Sequence, residues 1–288
     1  MSWRLLDTPP MTAAENMALD EALLHVKARG ETPNTIRFLQ FSPRAVLLGF
    51  HQSVSEEVRK AYCDENQIDI NRRTTGGGAI FFDETQIGWE VICDKTFFKT
   101  FIQTPHFFKQ LCSPVITALG TLGLKAAFRP RNDIEIHGRK ISGTGGTESN
   151  GAFLFQGTML VDFDVDTMLR TLRIPVEKLK AKEIDSVKER VTCLKWELGY
   201  TPPQEQIKAA IRDGFEESLG IELEAGDILI PIEEGAITWE HVHAELKDLV
   251  TGKKEGRTPQ DTVTVFKSVG IAIQDSSVAN LVLKKLGL

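Results

Sequence analysis

The chain is short of the features that would assign it a class at once. Its 288 residues hold four cysteines, Cys63, Cys93, Cys112 and Cys193. They form no CxxC pair and have no histidine at ligand spacing, so a zinc site or a disulfide framework is not expected. Reduced thiols in a cytoplasmic protein are. No apolar run approaches the roughly 20 residues of a membrane span, and Met1-Ser2-Trp3-Arg4-Leu5-Leu6-Asp7 is no secretory core. Positive charge is not in excess. A formal charge of −6 disfavours a nucleic-acid scaffold. Internal repeats and low-complexity segments are missing. Gly143-Thr144-Gly145-Gly146 fails as a dinucleotide fingerprint, because Glu148 occupies the position of the third glycine. No GxxxxGK[ST] loop occurs either.

What is present is ordinary for a soluble globular protein: 41% hydrophobic and 26% charged residues. The length suits one large domain and a smaller one. Residues 3–8 read as a strand. Thr12 with Glu15 makes a capping box before a helix at 16–28. Strands are expected at 36–39, 45–50, 80–82 and 87–92, and helices at 56–66 and 108–122. Ile134 and Ile136 alternate with polar residues, His137-Gly138 reads as a hairpin turn, and Lys140 opens the return strand. A strand pair at 152–162, a short helix at 166–172 and a helix ending near Gly220 follow.

Two stretches carry chemistry. In Arg72-Arg73-Thr74-Thr75-Gly76-Gly77-Gly78-Ala79, three glycines allow backbone amides to approach an anion closely, and arginine offers planar donors for carboxylate or phosphate. A Gly-rich turn with solvated arginines is the plainer reading. In Asn132-Asp133-Ile134-Glu135-Ile136-His137-Gly138-Arg139-Lys140-Ile141-Ser142-Gly143, the return-strand lysine can face a cleft at a fixed distance from Asp133. Here a hairpin with an exposed lysine is the plainer reading.

Taken whole, the first string resembles the RRxxGGGAVFxD signature of the lipoate–protein ligase family. The second resembles its NDxxxxGRKISG segment. Gln156-Gly157-Thr158-Met159-Leu160 and Arg190-Val191-Thr192-Cys193-Leu194 resemble its HGTLL and RVTNL strings, with Gln156 where a histidine is common. The resemblance implies an α+β fold of the biotin/lipoate ligase type, like class II synthetases: a mixed β-sheet core flanked by helices, plus a small C-terminal extension. It also implies an ATP-dependent ligase that activates lipoate or octanoate as acyl-AMP and passes it to a lysine of an apo lipoyl-domain protein.

By motif position Lys140 is the catalytic lysine. Arg72, Arg73, Gly76, Gly77, Gly78, Ala79, Asn132 and Thr158 are implied to bind substrate or adenylate, with Asp133 as a Mg2+ ligand. His51 is placed at the pocket edge, and Ile80 and Leu48 are expected to line an acyl channel. The glycine bend and the Lys140 ammonium should share one cavity. Neither a nucleic acid nor a membrane is an expected partner. The alternative is an ATP-independent octanoyl or lipoyl transferase of the same fold, although residues 130–134 lack the cysteine such enzymes use. A non-catalytic relative conflicts with the intact motif set, and biotin ligation conflicts with RRTTGGG in place of GRGRxGR.

The catalytic domain is expected at 1–200 and a connecting helix at 201–225. Residues 226–288 instead resemble the C-terminal part of ornithine cyclodeaminase/mu-crystallin proteins, through His243-Ala244-Glu245-Leu246 and Val265-Phe266-Lys267-Ser268 among others. The catalytic and dinucleotide-binding parts of that family are missing. Because the usual ligase accessory domain is replaced, a separately encoded accessory protein is a candidate partner. Amphipathic helices are expected at 236–250 and 276–286.

Overall fold

The computed structural model describes residues 3–98, 107–173 and 181–225, with a few isolated positions between 235 and 255. The helix expected at 276–286, and most of that at 236–250, falls outside these residues.

Strand β1 (Trp3–Asp7) leads into helix α1 (Ala13–Ala28). The capping box forms: the Thr12 hydroxyl accepts from Glu15 N, and the Glu15 carboxylate accepts from Thr12 N at 2.9 Å. Two orphan donors of the first turn are thereby satisfied. β2 (Asn34–Leu39) and β3 (Ala45–Leu48) follow. The single helix expected at 56–66 is instead two pieces, α2 (Val54–Glu57) and α3 (Lys60–Glu65). Val58 between them is buried and extended, with φ −125° and ψ 138°. It bridges Leu172, while Arg59 N donates to Thr171 O at 2.9 Å and Arg173 N to Glu57 O at 2.7 Å. This tertiary pairing of a β-branched residue outcompetes helix continuation.

β4 (Asp69–Arg72), β5 (Ile80–Phe82), β6 (Ile87–Asp94) and α4 (Phe107–Thr121) come next. β7 (Ala126–Arg129), β8 (Asp133–Ile136), β9 (Arg139–Ser149) and β10 (Ala152–Met159) form a meander. α5 (Val165–Thr171), α6 (Ala181–Lys188), α7 (Leu194–Leu198), α8 (Gln204–Leu219) and β11 (Leu223–Ala225) complete the described chain.

The strands build an eight-stranded mixed sheet, ordered β11-β1-β2-β6-β10-β9-β8-β7, and a three-stranded sheet, β4-β3-β5. Alternation along β6 divides the large sheet into two faces. Ile87, Trp89, Val91 and Cys93 join the main core under α4 and α8. Gly88, Glu90 and Ile92 face the other way, where α1 packs Leu23 and Leu24 on Ile92 and Leu154. α8, expected as a connector, buries Ile207, Ile211 and Phe215 fully in the main core. β11 then adds a parallel strand beside β1.

Candidate active site

In-register pairing lines up two rows on the face of the large sheet away from α4 and α8. One row is Arg37, Glu90, Gln156 and Gly145, and the other begins Leu39, Gly88, Thr158. In the second row Gly143 N donates to the Thr158 hydroxyl at 3.3 Å. Glycines leave a trough here, and the smaller sheet with the 73–79 loop closes over it. The result is a cavity of about 310 Å³, at the lower end of the size usual for small-molecule sites. Met17, Leu39, Phe41, Leu47, Ile80 and Phe82 supply apolar wall, while Lys140, Asn132 and Thr158 supply polar atoms.

The glycine loop is fastened by its own arginines. Arg73 is buried, and its guanidinium donates to Thr75 Oγ1 (3.1 Å), Leu47 O (2.9 Å), Gly76 O (2.9 Å) and Gly78 O (2.8 Å). Burial pulls its pKa down to about 10. Arg72 donates to the carbonyls of Gly49, Phe50 and Gln52 at 3.0, 3.0 and 2.6 Å, and does not line the cavity. Where a clamp on phosphate or carboxylate was expected, most of these donors meet main-chain carbonyls. Gly77 takes φ +103°, and a Cβ on Gly49 would overlap the Gly77 carbonyl oxygen, so two glycines meet back to back. Gln156 Nε2 donates to Thr75 Oγ1 at 3.0 Å and ties the loop to the trough.

Lys140 reaches the same cavity from β9. His137 and Gly138 both have positive φ, 51° and 77°, the conformation of a tight two-residue hairpin turn. Asp133 then pairs with Gly143 and Ile134 with Ser142, but Glu135 pairs with Lys140, which leaves Ile141 as an extra residue. In a regular strand positions 140 and 143 would face opposite sides. The bulge brings both to the cavity. On the far side of β9, Lys140 N donates to Arg190 O and Thr192 N to Lys140 O, both at 2.8 Å.

The Lys140 ammonium pairs with Asp133 Oδ1 at 2.8 Å, and Arg129 pairs with Asp133 Oδ2 at 2.7 Å. Burial alone would raise the Asp133 pKa, but these two cations hold it below the usual carboxylate range. Asp133 does not line the cavity, both its oxygens face cations, and no trio of metal-holding side chains occurs among the described residues. The expected Mg2+ ligand therefore does not fit this arrangement.

Of the site residues expected from sequence, Arg73, Gly76, Gly77, Gly78, Ala79, Asn132, Lys140 and Thr158 line one cavity, and Arg72 and Asp133 do not. Ile80 lines it, but strand alternation puts Leu47 there and turns Leu48 into the cluster with Val58 and Cys63. His51 is exposed, edge-on to Phe50, and not in the lining. All four cysteines are buried and none lines the cavity. Burial pushes the Cys193 thiol up to about 11 and the Cys112 thiol up to about 12.

One group was not read from sequence. Arg37 is fully buried with Asp20 (2.5 Å) and Glu90 (3.2 Å) against its guanidinium, and Asn16 Oδ1 accepts from it at 2.5 Å. Glu90 borders the cavity. Desolvation raises the pKa of both carboxyls, and their mutual repulsion raises that of Asp20 further. Both carboxyls lean on the one guanidinium, so their titrations are linked. The available signal was Asp20 and Glu90 standing at core-facing positions of apolar stretches.

The family model described as the lipoyl protein ligase A/B catalytic domain matches residues 12–216. That of the ornithine cyclodeaminase/mu-crystallin family matches 209–287. The octanoyltransferase LipM of Oceanobacillus iheyensis is 28% identical over 238 residues, covering 77% of this chain and 87% of that protein. The lipoate–protein ligase LplJ of Bacillus subtilis is 34% identical over 147 residues, covering 51% and 43%. A crystal structure of lipoate–protein ligase A bound with ATP superimposes with TM-score 0.67 at 25% identity, over 81% of this chain and 95% of that one. The bi-partite lipoate protein ligase of Thermoplasma acidophilum gives 0.64 at 26%, over 81% and 92%.

Proposed function

Because the chain belongs to the lipoyl protein ligase A/B catalytic-domain family, we propose that it is an ATP-dependent lipoate–protein ligase. A carboxylic acid does not acylate an amine unaided, since hydroxide is a poor leaving group. In this reading the acid's carboxylate attacks the α-phosphorus of ATP and pyrophosphate leaves. The ε-amine of a lipoyl-domain lysine then attacks the acyl carbonyl, and AMP leaves with the carboxyl oxygen.

Lys140 is the catalytic cation, opposing negative charge on the α-phosphate and acyl carbonyl. The amides of Gly76, Gly77, Gly78 and Ala79 approach the adenylate linkage, with Asn132 and Thr158 as further polar contacts. Arg73 serves by holding the loop. The apolar wall of Leu39, Phe41, Leu47, Ile80 and Phe82 takes the acyl chain, each buried CH2 contributing roughly 0.8 kcal/mol.

One observation supports this reading above the rest. Lys140 and the glycine loop border one cavity, and no cysteine does. A thioester route needs a thiolate, and the four thiols are all buried. The second reading, octanoyl transfer from a carrier, draws on the LipM relatives, which match more of the chain than LplJ does. Lipoate-dependent ATP–pyrophosphate exchange separates the two. The ligase reading predicts exchange, and acylated lipoyl domain by mass spectrometry only when ATP is present. Acylation from an octanoyl carrier without ATP, and no exchange, would establish the transferase.

A further inference from the structure

Asp133 sits where a metal ligand was expected, yet the structure gives it different work. The β9 bulge turns Lys140 toward the cavity. A lysine has a long flexible stem, so the bulge alone does not fix where its charge lies. Two neighbours do. Gly143 has no side chain, and a Cβ there would stand 2.5 Å from Lys140 Nζ and 2.6 Å from its Cε, so the stem lies across the bare glycine. Asp133 Oδ1 pairs with the ammonium at 2.8 Å, while Arg129 donates to the other carboxylate oxygen. The Lys140 ammonium is thus held on one side by a carboxylate while it borders the cavity.

We propose that Asp133 and Gly143 are positioning residues for the Lys140 ammonium, and that Asp133 acts as its counter-ion rather than as a metal ligand. The assignment rests on Lys140 being the catalytic cation of the proposed reaction. A pre-placed charge needs no reorganisation as negative charge develops, which is where such a group gains most of its effect.

The first test needs neither ATP nor metal. Lys140 is labelled with an amine-directed acylating reagent and the rate is read by peptide mass spectrometry. Asp133→Asn and Gly143→Ala should each label several-fold faster than the parent. In lipoate-dependent ATP–pyrophosphate exchange, each should lower the rate roughly 10- to 100-fold, with the half-saturating Mg2+ concentration unchanged. Asp133→Asn placed on Lys140→Ala should cost nothing more, because Asp133 acts only by placing the Lys140 charge.

A raised Mg2+ requirement in Asp133→Asn with unaltered Lys140 labelling would overturn the inference, as would a further loss on the Lys140→Ala background. Should Gly143→Ala melt at much lower temperature, the Asp133→Asn arm decides. No exchange by the parent protein would instead defeat the ligase reading, and the labelling comparison would still judge the positioning of Lys140.

Discussion

The 72–79 loop and the β8–β9 hairpin carry cations that looked alike in sequence, and the fold uses them in opposite ways. In the loop, the nearest acceptors are main-chain carbonyls. A glycine-rich bend leaves those unpaired, and guanidinium has five donors to satisfy them. Arg73 meets three carbonyls and a hydroxyl, and Arg72 meets three carbonyls. In the hairpin the local carbonyls are already paired in the ladder. Lys140 finds one carboxylate and borders the cavity. Arg37 is a third case, a buried cation set between two carboxyls. A basic residue beside a ligand-binding turn is therefore a ligand contact only where the backbone makes no claim on it.

Four substitutions test that contrast. Lys140→Ala should slow lipoate-dependent pyrophosphate exchange roughly 100- to 1,000-fold with little loss of stability, as for loss of one oxyanion donor. Unchanged exchange would end the contrast at once. Arg73→Ala should lower unfolding free energy by roughly 3 kcal/mol, since it strands several buried acceptors. Urea denaturation measures this. Lost exchange at full stability would make Arg73 a ligand clamp after all.

Asp20 and Glu90 have raised pKa values in the folded protein. Their linked stability is complete below the unfolded carboxylate range and is lost as pH rises through the folded values. Glu90→Gln leaves Arg37 a single acid, Asp20, and should flatten this decline. Melting temperature against pH checks it, and an unaltered profile would show that Glu90 does not carry this linkage. Arg72→Ala should cost about 1 kcal/mol, the worth of partly exposed hydrogen bonds to one turn, with the KM for ATP unaltered. A KM raised tenfold would mean Arg72 swings onto nucleotide.

Local chemistry was legible in sequence wherever it was self-contained. The Thr12–Glu15 cap, the Ile134/Ile136 alternation and the His137-Gly138 turn each depend on residues a few positions apart, and each formed. The string motifs also placed Lys140 and the glycines at one cavity. The failures are all non-local. The break at Val58 depends on strand pairing more than a hundred residues away. The Ile141 bulge is a register choice made by β8. The face that Leu47 shows, rather than Leu48, depends on where β3 meets β4 and β5. Asp20, Arg37 and Glu90 come from three elements, and only their assembly makes a neutralised group.

The two family matches overlap at 209–216, inside α8, where Ile211 and Phe215 are fully enclosed. The overlap of the two matches therefore lies on a helix whose inner face is sealed in the main core. A shortened protein that stops before this helix would uncover Trp89 and Ala118 and leave the β1 margin open for association with other molecules. Anyone trimming the tail should retain the chain through Ala225. A graft of a different tail would have to reproduce the inward surface of that last helix before its own character could matter.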